Sequence, residues 1–260
     1  MASDPSWRLK IARAEHHFYE LKTLVEGYRE GHHYRAVCPN PPRRPTHWRF
    51  VLEITEPPDP QIAIVFGDLL FNARSALDHV AVACAPQDRK RQAGFPLYEH
   101  KPEGEEQRKF ESMTRGMPPE ALAIIEYEQP YNVSNRTSAG RPDSVEALFA
   151  LNALQDADKH RSLALLVAGI AYPEVSVSWG KQGFTIITPT YVAPGEELIK
   201  YDELGNRIPY DQVRVEVRGR PQVAVNISKR DDYELLDVAG GIVGRVRDRI
   251  LPSMEPFVRT

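Results

Sequence analysis

The feature that most constrains the fold is residues 60–85, a helix-length run that is apolar on nearly every side. At about 100° per residue on a helical wheel, one continuous face of the run consists of Ile62, Phe66, Leu69, Ala73, Leu77, Val80 and Cys84. Apolar residues also occupy most of the other positions. A helix that is apolar nearly all round is normally internal. We therefore predict a buried helix at the centre of a helical bundle.

This predicted internal helix nevertheless carries a line of polar side chains, which we call the polar stripe. Its members follow one another at steps of four, three and four residues, and they are Asp68, Asn72, Ser75 and His79. Two further polar residues, Arg74 and Asp78, lie in the same part of the helix. Such groups need polar partners wherever the helix is buried.

A second predicted helix, residues 144–168, has a polar gap in its apolar face. The gap consists of Asn152, Asp156 and Lys159, with His160 at its edge. Burying an unpaired polar group costs about 1–3 kcal/mol, so we expect the two helices to pack side by side, with stripe and gap within hydrogen-bonding reach. Either a structural polar network or a functional cleft would satisfy these groups.

The rest of the sequence indicates an α+β fold. Further helices are predicted at about 5–30, 104–115, 118–128 and 232–250, the last one ending at Pro252. "YRAVC" and "HWRFVLEI" predict a β-hairpin within 34–55. Alternating runs after Gly169, such as "VSVSW" and "VAVNI", predict an antiparallel sheet with one wet face.

Two domains follow from this order of elements. We expect residues 1–168 to form an antiparallel helical bundle that includes the hairpin. Residues 169–260 should form the appended antiparallel sheet, with the C-terminal helix packing back on the bundle.

Composition gives few further clues to function. The formal net charge is −3, so a polyanion would have to bind a local basic patch. The two cysteines, Cys38 and Cys84, are too few for a disulfide framework, and we expect buried thiols. We find no signal-peptide core and no run of about 18 apolar residues, which predicts a cytoplasmic protein that does not enter a membrane.

One segment of the polar helix resembles a known family. Residues 74–79, "RSALDH", match the R-x4-6-H motif of the HEPN superfamily of helical-bundle proteins. That resemblance implies metal-independent RNA cleavage at a dimer interface, without a cofactor. Arg74 would stabilise phosphate charge and His79 would act as general acid–base. "GDLLFNARSALDH" and "DADKHR" are also similar to blocks of a group of uncharacterised bacterial proteins. This second resemblance does not indicate any particular activity.

Geometry on the helix adds a condition to the HEPN interpretation. Arg74 and His79 are about 140° apart on a helical wheel, so they meet only if the arginine curls back or if a second subunit contributes one of them. The partners that the resemblance implies are single-stranded RNA or a nucleotide, together with a second copy of the chain if the arginine does not curl back.

Two other classes of function remain open. Asp156 and His160 have the i, i+4 spacing of two metal ligands on one helix, and Asp68 and His79 would complete such a site. Alternatively, the chain is a non-catalytic module whose cleft holds a nucleotide or peptide and whose sheet supplies specificity.

Overall fold

The computed structural model confirms the α+β class. It describes residues 4–39, 49–135, 146–160, 165–187, 191–200, 212–227 and 232–259. The chain divides into two compact units. We call them the helical unit (Met1–Thr23, Gln61–Ala164 and Asn226–Thr260) and the strand unit (Leu24–Pro60 and Leu165–Val225). The units interleave along the chain, whereas the sequence led us to expect one boundary near residue 168.

The first four helices begin and end within one or two residues of the predicted positions. They are α1 (Ser6–Glu30, which continues into the strand unit), α2 (Pro60–Cys84), α3 (Gly104–Thr114) and α4 (Pro119–Tyr127). A 3-10 turn covers Pro130–Asn135. Half of α2 is buried, including Phe66, Leu69 and Leu77, but Ile64 and Phe71 are 58% and 55% exposed, so the prediction of a helix buried on nearly every side was wrong. None of the helices in the described ranges is long and apolar enough to cross a membrane.

The next helix is shorter than predicted. α5 spans Ala147–His160, and strand β3 begins at Leu165, so the prediction of a helix through 168 was wrong. Leu165 and Val167 pair with Val225 and Val223 of another strand, and this long-range pairing overrides a pattern that also suited a helix. At the other end Glu146 accepts a hydrogen bond from the Phe149 amide at 2.6 Å and so caps the helix. Asp143 has capping-box spacing to Glu146 in the sequence, and it lies outside the described residues.

The C-terminal helix also differs from the prediction at both ends. Residues Asp232–Glu234 form a short strand, β8, and the helix starts afterwards as α6 (Leu235–Arg245). It continues through a π turn (Val246–Ile250) into α7 (Leu251–Met254), so Pro252 does not end it. Proline has no N–H to donate and crowds the carbonyl four residues earlier. The wider turn just before α7 accommodates both effects.

The strand unit contains two antiparallel sheets. The predicted hairpin, β1 (Tyr34–Val37) with β2 (Arg49–Ile54), is confirmed and gains β6 (Glu197–Lys200) beside β2. In the second sheet β3 (Leu165–Trp179) lies between β4 (Gln182–Ile187) and β7 (Arg214–Asn226), with β5 (Tyr191–Val192) also pairing β3. The alternating runs "VRVEV" (213–217) and "VAVNI" (223–227) both belong to β7, except for their outermost residues, Val213 and Ile227. Two core clusters contain residues of both sheets, including Leu52 and Ile170.

A β-bulge interrupts the pairing of β3 with β7. Ala171 pairs with Arg220 and Glu174 with Arg218, so Tyr172 and Pro173 together oppose the single residue Gly219. Proline has no ladder donor and is tolerated in an inner strand only at such a position. Across the core, the Tyr34 hydroxyl donates to the Gly219 carbonyl at 2.8 Å and accepts from its N–H at 3.0 Å. The bulge is therefore hydrogen-bonded although the regular ladder is broken.

Both cysteines are free thiols. Cys84 is fully buried on α2, and burial raises the pKa of its thiol to about 11. Cys38 is only half-buried, which differs from the expectation that both would be buried.

We predict that Gly219→Ala destabilises the protein. A Cβ at this position would lie 2.2 Å from Ile170 Cγ2 and 3.3 Å from the Ala171 carbonyl oxygen. We expect a loss of about 1–3 kcal/mol in the free energy of unfolding, as for overpacked cores, measured by urea denaturation. Gly241→Ala, in an exposed part of α6 with nothing within 4 Å of the new Cβ, should instead gain about 0.5–1 kcal/mol. Equal stability of both variants would contradict this account of the bulge.

Candidate functional site

The residues of the polar stripe on α2 differ in burial. Asp68 is exposed, Asn72 is buried, and Ser75 and His79 are half-buried. The Asn72 amide donates to the backbone carbonyl of Asp68 at 2.8 Å, so it is satisfied within its own helix. The Asp68 carboxylate therefore does not hold Asn72.

Arg74 and Asp78 form a clasp on the loop that precedes α3. The Arg74 guanidinium donates to both Asp78 oxygens, at 3.2 and 3.3 Å, and to the Phe95 carbonyl at 2.7 Å. Asp78 in turn accepts the Phe95 N–H at 3.0 Å. Guanidinium and carboxylate thus satisfy both backbone groups of Phe95, whose side chain is fully buried. The predicted phosphate-binding arginine has a structural role in this conformation.

A second polar clamp holds the same loop a few residues later. The buried side chain of Gln129 donates to the Pro96 carbonyl at 2.8 Å and accepts from the Tyr98 N–H at 3.0 Å. The loop can lie against buried α2 because these contacts pair its backbone polar groups. The sequence does not indicate this role of Gln129, because a single glutamine forms no spacing pattern that would mark it as a loop partner.

His79 is not held in this way. Its Nδ1 is buried and has no hydrogen-bond partner, the only such side-chain nitrogen or oxygen in the ranges that the structure describes. No hydrogen bond within those ranges joins Arg74 to His79. Within one chain, the guanidinium of Arg74 is thus engaged by Asp78 and Phe95 and not by His79.

The polar gap of α5 is only partly within the described structure. Asn152 is half-buried and Asp156 is exposed. The side chains of Lys159 and His160 lie outside the described residues, so the expected contact between stripe and gap stays a prediction. Among the described side chains, no three His, Cys, Asp or Glu residues lie close enough to hold a metal ion.

The strand unit has a surface that the sequence analysis did not single out, which we call the bulge surface: Tyr172, Arg218 and Arg220. Tyr172 is 70% exposed and has φ = +50°, a left-handed conformation that is costly for a residue with a Cβ. Arg218 and Arg220 are exposed and belong to the pairs on either side of the bulge. Pro173 inside an alternating apolar run is the signal that predicts a bulge here.

Comparisons of the chain with family models, curated proteins and solved structures found no match.

We predict that Asp78→Ala destabilises the protein by about 1–3 kcal/mol, because it leaves the Phe95 N–H and most of the Arg74 guanidinium unpaired. Asp68→Ala is the matched control, since the carboxylate of Asp68 is exposed on the same helix, and it should change stability by less than about 0.5 kcal/mol. Urea denaturation measures both. Similar values for the two variants would show that the clasp does not stabilise the loop.

Proposed function

We propose that this chain binds single-stranded RNA through the bulge surface. The observation that carries the proposal is an exposed, backbone-strained tyrosine beside two exposed arginines on the neighbouring strand. Proteins that bind single strands combine aromatic side chains, on which bases stack, with cations that follow the phosphates. Tyr172 supplies the first component, and Arg218 and Arg220 the second.

The strain at Tyr172 supports a functional role for its ring. A left-handed residue with a Cβ costs about 1–2 kcal/mol, and glycine would adopt the same conformation without that cost. Outliers of this kind cluster at functional sites, where the position of a side chain offsets the strain. A bulge also redirects a side chain relative to its strand, which here leaves the ring accessible.

Local charge favours a polyanion although the whole chain is acidic. Along the outer face of β7 the exposed charged residues are Arg214, Glu216, Arg218 and Arg220. Glu174 of β3 pairs with Arg218, so this face carries three arginines against two glutamates. The excess of positive charge is small but local, and it favours phosphates even when the net charge of the chain is −3. In the cytoplasmic location expected from the sequence, single-stranded RNA would be available to it.

We predict that Tyr172→Gly weakens RNA binding without weakening the fold. Loss of one stacked base costs about 1–3 kcal/mol, so affinity for a labelled single-stranded RNA should fall about 5- to 150-fold. Stability should stay the same or rise, because glycine relieves the backbone strain. Fluorescence anisotropy and urea denaturation measure the two effects. Tyr19→Ala removes a comparably exposed tyrosine from α1 and should change neither.

Salt dependence tests the arginines separately. If Arg218 and Arg220 each contact one phosphate, Gln at either position should reduce the slope of log affinity against log salt by about 0.7. Arg13→Gln, at an exposed position of α1, should leave the slope unchanged. Wild type that fails to bind RNA at low salt, or binds it with no effect of Tyr172→Gly, would refute the proposed function.

A second candidate function, RNA cleavage without a metal, is favoured by His79. A purely structural network would be expected to pair its buried Nδ1, yet that atom has no partner among the described residues. In this candidate His79 is the general acid–base. Arg74 offers phosphate its Nη1 group, since its Nε and Nη2 already donate to Asp78 and Phe95. A homodimer would supply the two residues from different subunits.

This candidate has its own test. His79→Ala should lower the rate of RNA cleavage in EDTA by about 100-fold or more, because general acid–base catalysis contributes about that much. Mixing His79→Ala with Arg74→Lys should restore part of the activity if a mixed interface combines the two native residues. Circular dichroism confirms that each variant is folded. Wild type that is inert towards RNA in EDTA would exclude the candidate while leaving the proposed RNA binding untouched.

A further inference from the structure

The helical unit contains a cavity between α4 and the C-terminal helical segment, remote in sequence from the residues of the polar stripe. Its volume is about 370 Å³, within the range of small-molecule sites. The lining residues are Ala123, Ile124, Tyr127, Glu128, Arg245, Arg249 and Ser253. Apolar and aromatic groups thus come mainly from α4, and cationic and hydroxyl groups come from the opposite wall.

The two arginines of the cavity differ in their contacts. Arg245 donates to the carboxylate of Glu128, at 2.8 Å from Nε and 2.6 Å from Nη2, and Glu128 is buried. The charges of Arg245 and Glu128 therefore compensate each other, and these hydrogen bonds hold the two side chains in place. Arg249 is exposed and forms no hydrogen bond or ion pair within the described parts of the chain. Its guanidinium is therefore the cation of the cavity that is open to a ligand.

The π turn aligns this wall of the cavity. Arg245, Arg249 and Ser253 recur every fourth residue, a spacing that drifts by about 40° per step in a regular α-helix. A π turn holds more residues per turn, and Val246–Ile250 forms one between the first and last of these residues. The drift is thereby reduced, and all three residues line the same cavity. Such turns are frequent at functional sites.

We propose that this cavity binds a small aromatic anion, a planar ring that carries one carboxylate, sulfonate or phosphate group. The ring lies against Ile124 and the Tyr127 side chain, which gives apolar and stacking contact. The anionic group accepts hydrogen bonds from the planar fork of Arg249 and from the Ser253 hydroxyl. This binding is independent of RNA binding by the strand unit, because a different set of residues carries it.

Titration with 1-anilinonaphthalene-8-sulfonate tests the site, because this aromatic sulfonate becomes fluorescent in an apolar environment. We expect saturable binding to the full chain and displacement by benzoate or adenosine monophosphate. Inorganic phosphate at the same concentration should displace the probe much less, since it lacks a ring. Displacement by phosphate as effective as by benzoate would overturn the assignment of an aromatic ligand.

Two variants locate the probe. Arg249→Gln removes the exposed cation and should weaken binding by about 10- to 150-fold, the range for losing a charged hydrogen-bond partner. Ala123→Trp fills the cavity from its exposed α4 wall and should abolish binding. Arg13→Gln removes an exposed cation that does not line the cavity and should leave binding unchanged. Wild-type affinity in both cavity variants, or no saturable binding by wild type, would refute the proposal.

Discussion

The helical unit depends on the burial of α2. Half of its residues are buried, and a loop that covers such an apolar face brings backbone polar groups into the interior. Arg74 and Asp78 satisfy the backbone of Phe95, and Gln129 satisfies its neighbours. Several polar residues of an otherwise apolar region are therefore needed for the covering loop itself, without any ligand.

The first four helices and the hairpin could be predicted because their signals are local. α2 is apolar on most sides, α1 buries Ile11, Ala14, Leu21 and Val25 at helical spacing, and the β-branched and aromatic runs of β1 and β2 suit a pleated sheet. Each of these patterns is compatible with one type of element. The ends of these helices were therefore predicted within one or two residues, and the hairpin was placed within residues 34–55.

The features that the sequence did not predict depend on partners distant in the chain. The segment that begins at Leu165 fits a helix and a strand equally well, and pairing with β7 decides between them. The same pairing leaves Tyr172 in a bulge, with Gly219 and the Tyr34 hydroxyl completing it from elsewhere. Hydrophobic period alone contains no information about such contacts. Arg74 and Asp78 are close in sequence, but the backbone groups of Phe95 that they hydrogen-bond lie about 20 residues further along the chain.

Long-range contacts also decide which arginines of the chain are available to a ligand. A motif selects Arg74 by residue type and spacing, yet its hydrogen bonds are largely made within the protein, and Arg245 is likewise paired with buried Glu128. Binding a phosphate with such a group means exchanging one set of charge-assisted hydrogen bonds for another, so the net gain is small. Arg218 and Arg220 are exposed and belong to the residue pairs on either side of the bulge, and Arg249 is exposed and lines a cavity with Ile124 and Tyr127. A ligand there gains contacts with less loss of existing ones, which is why the proposals rest on these residues.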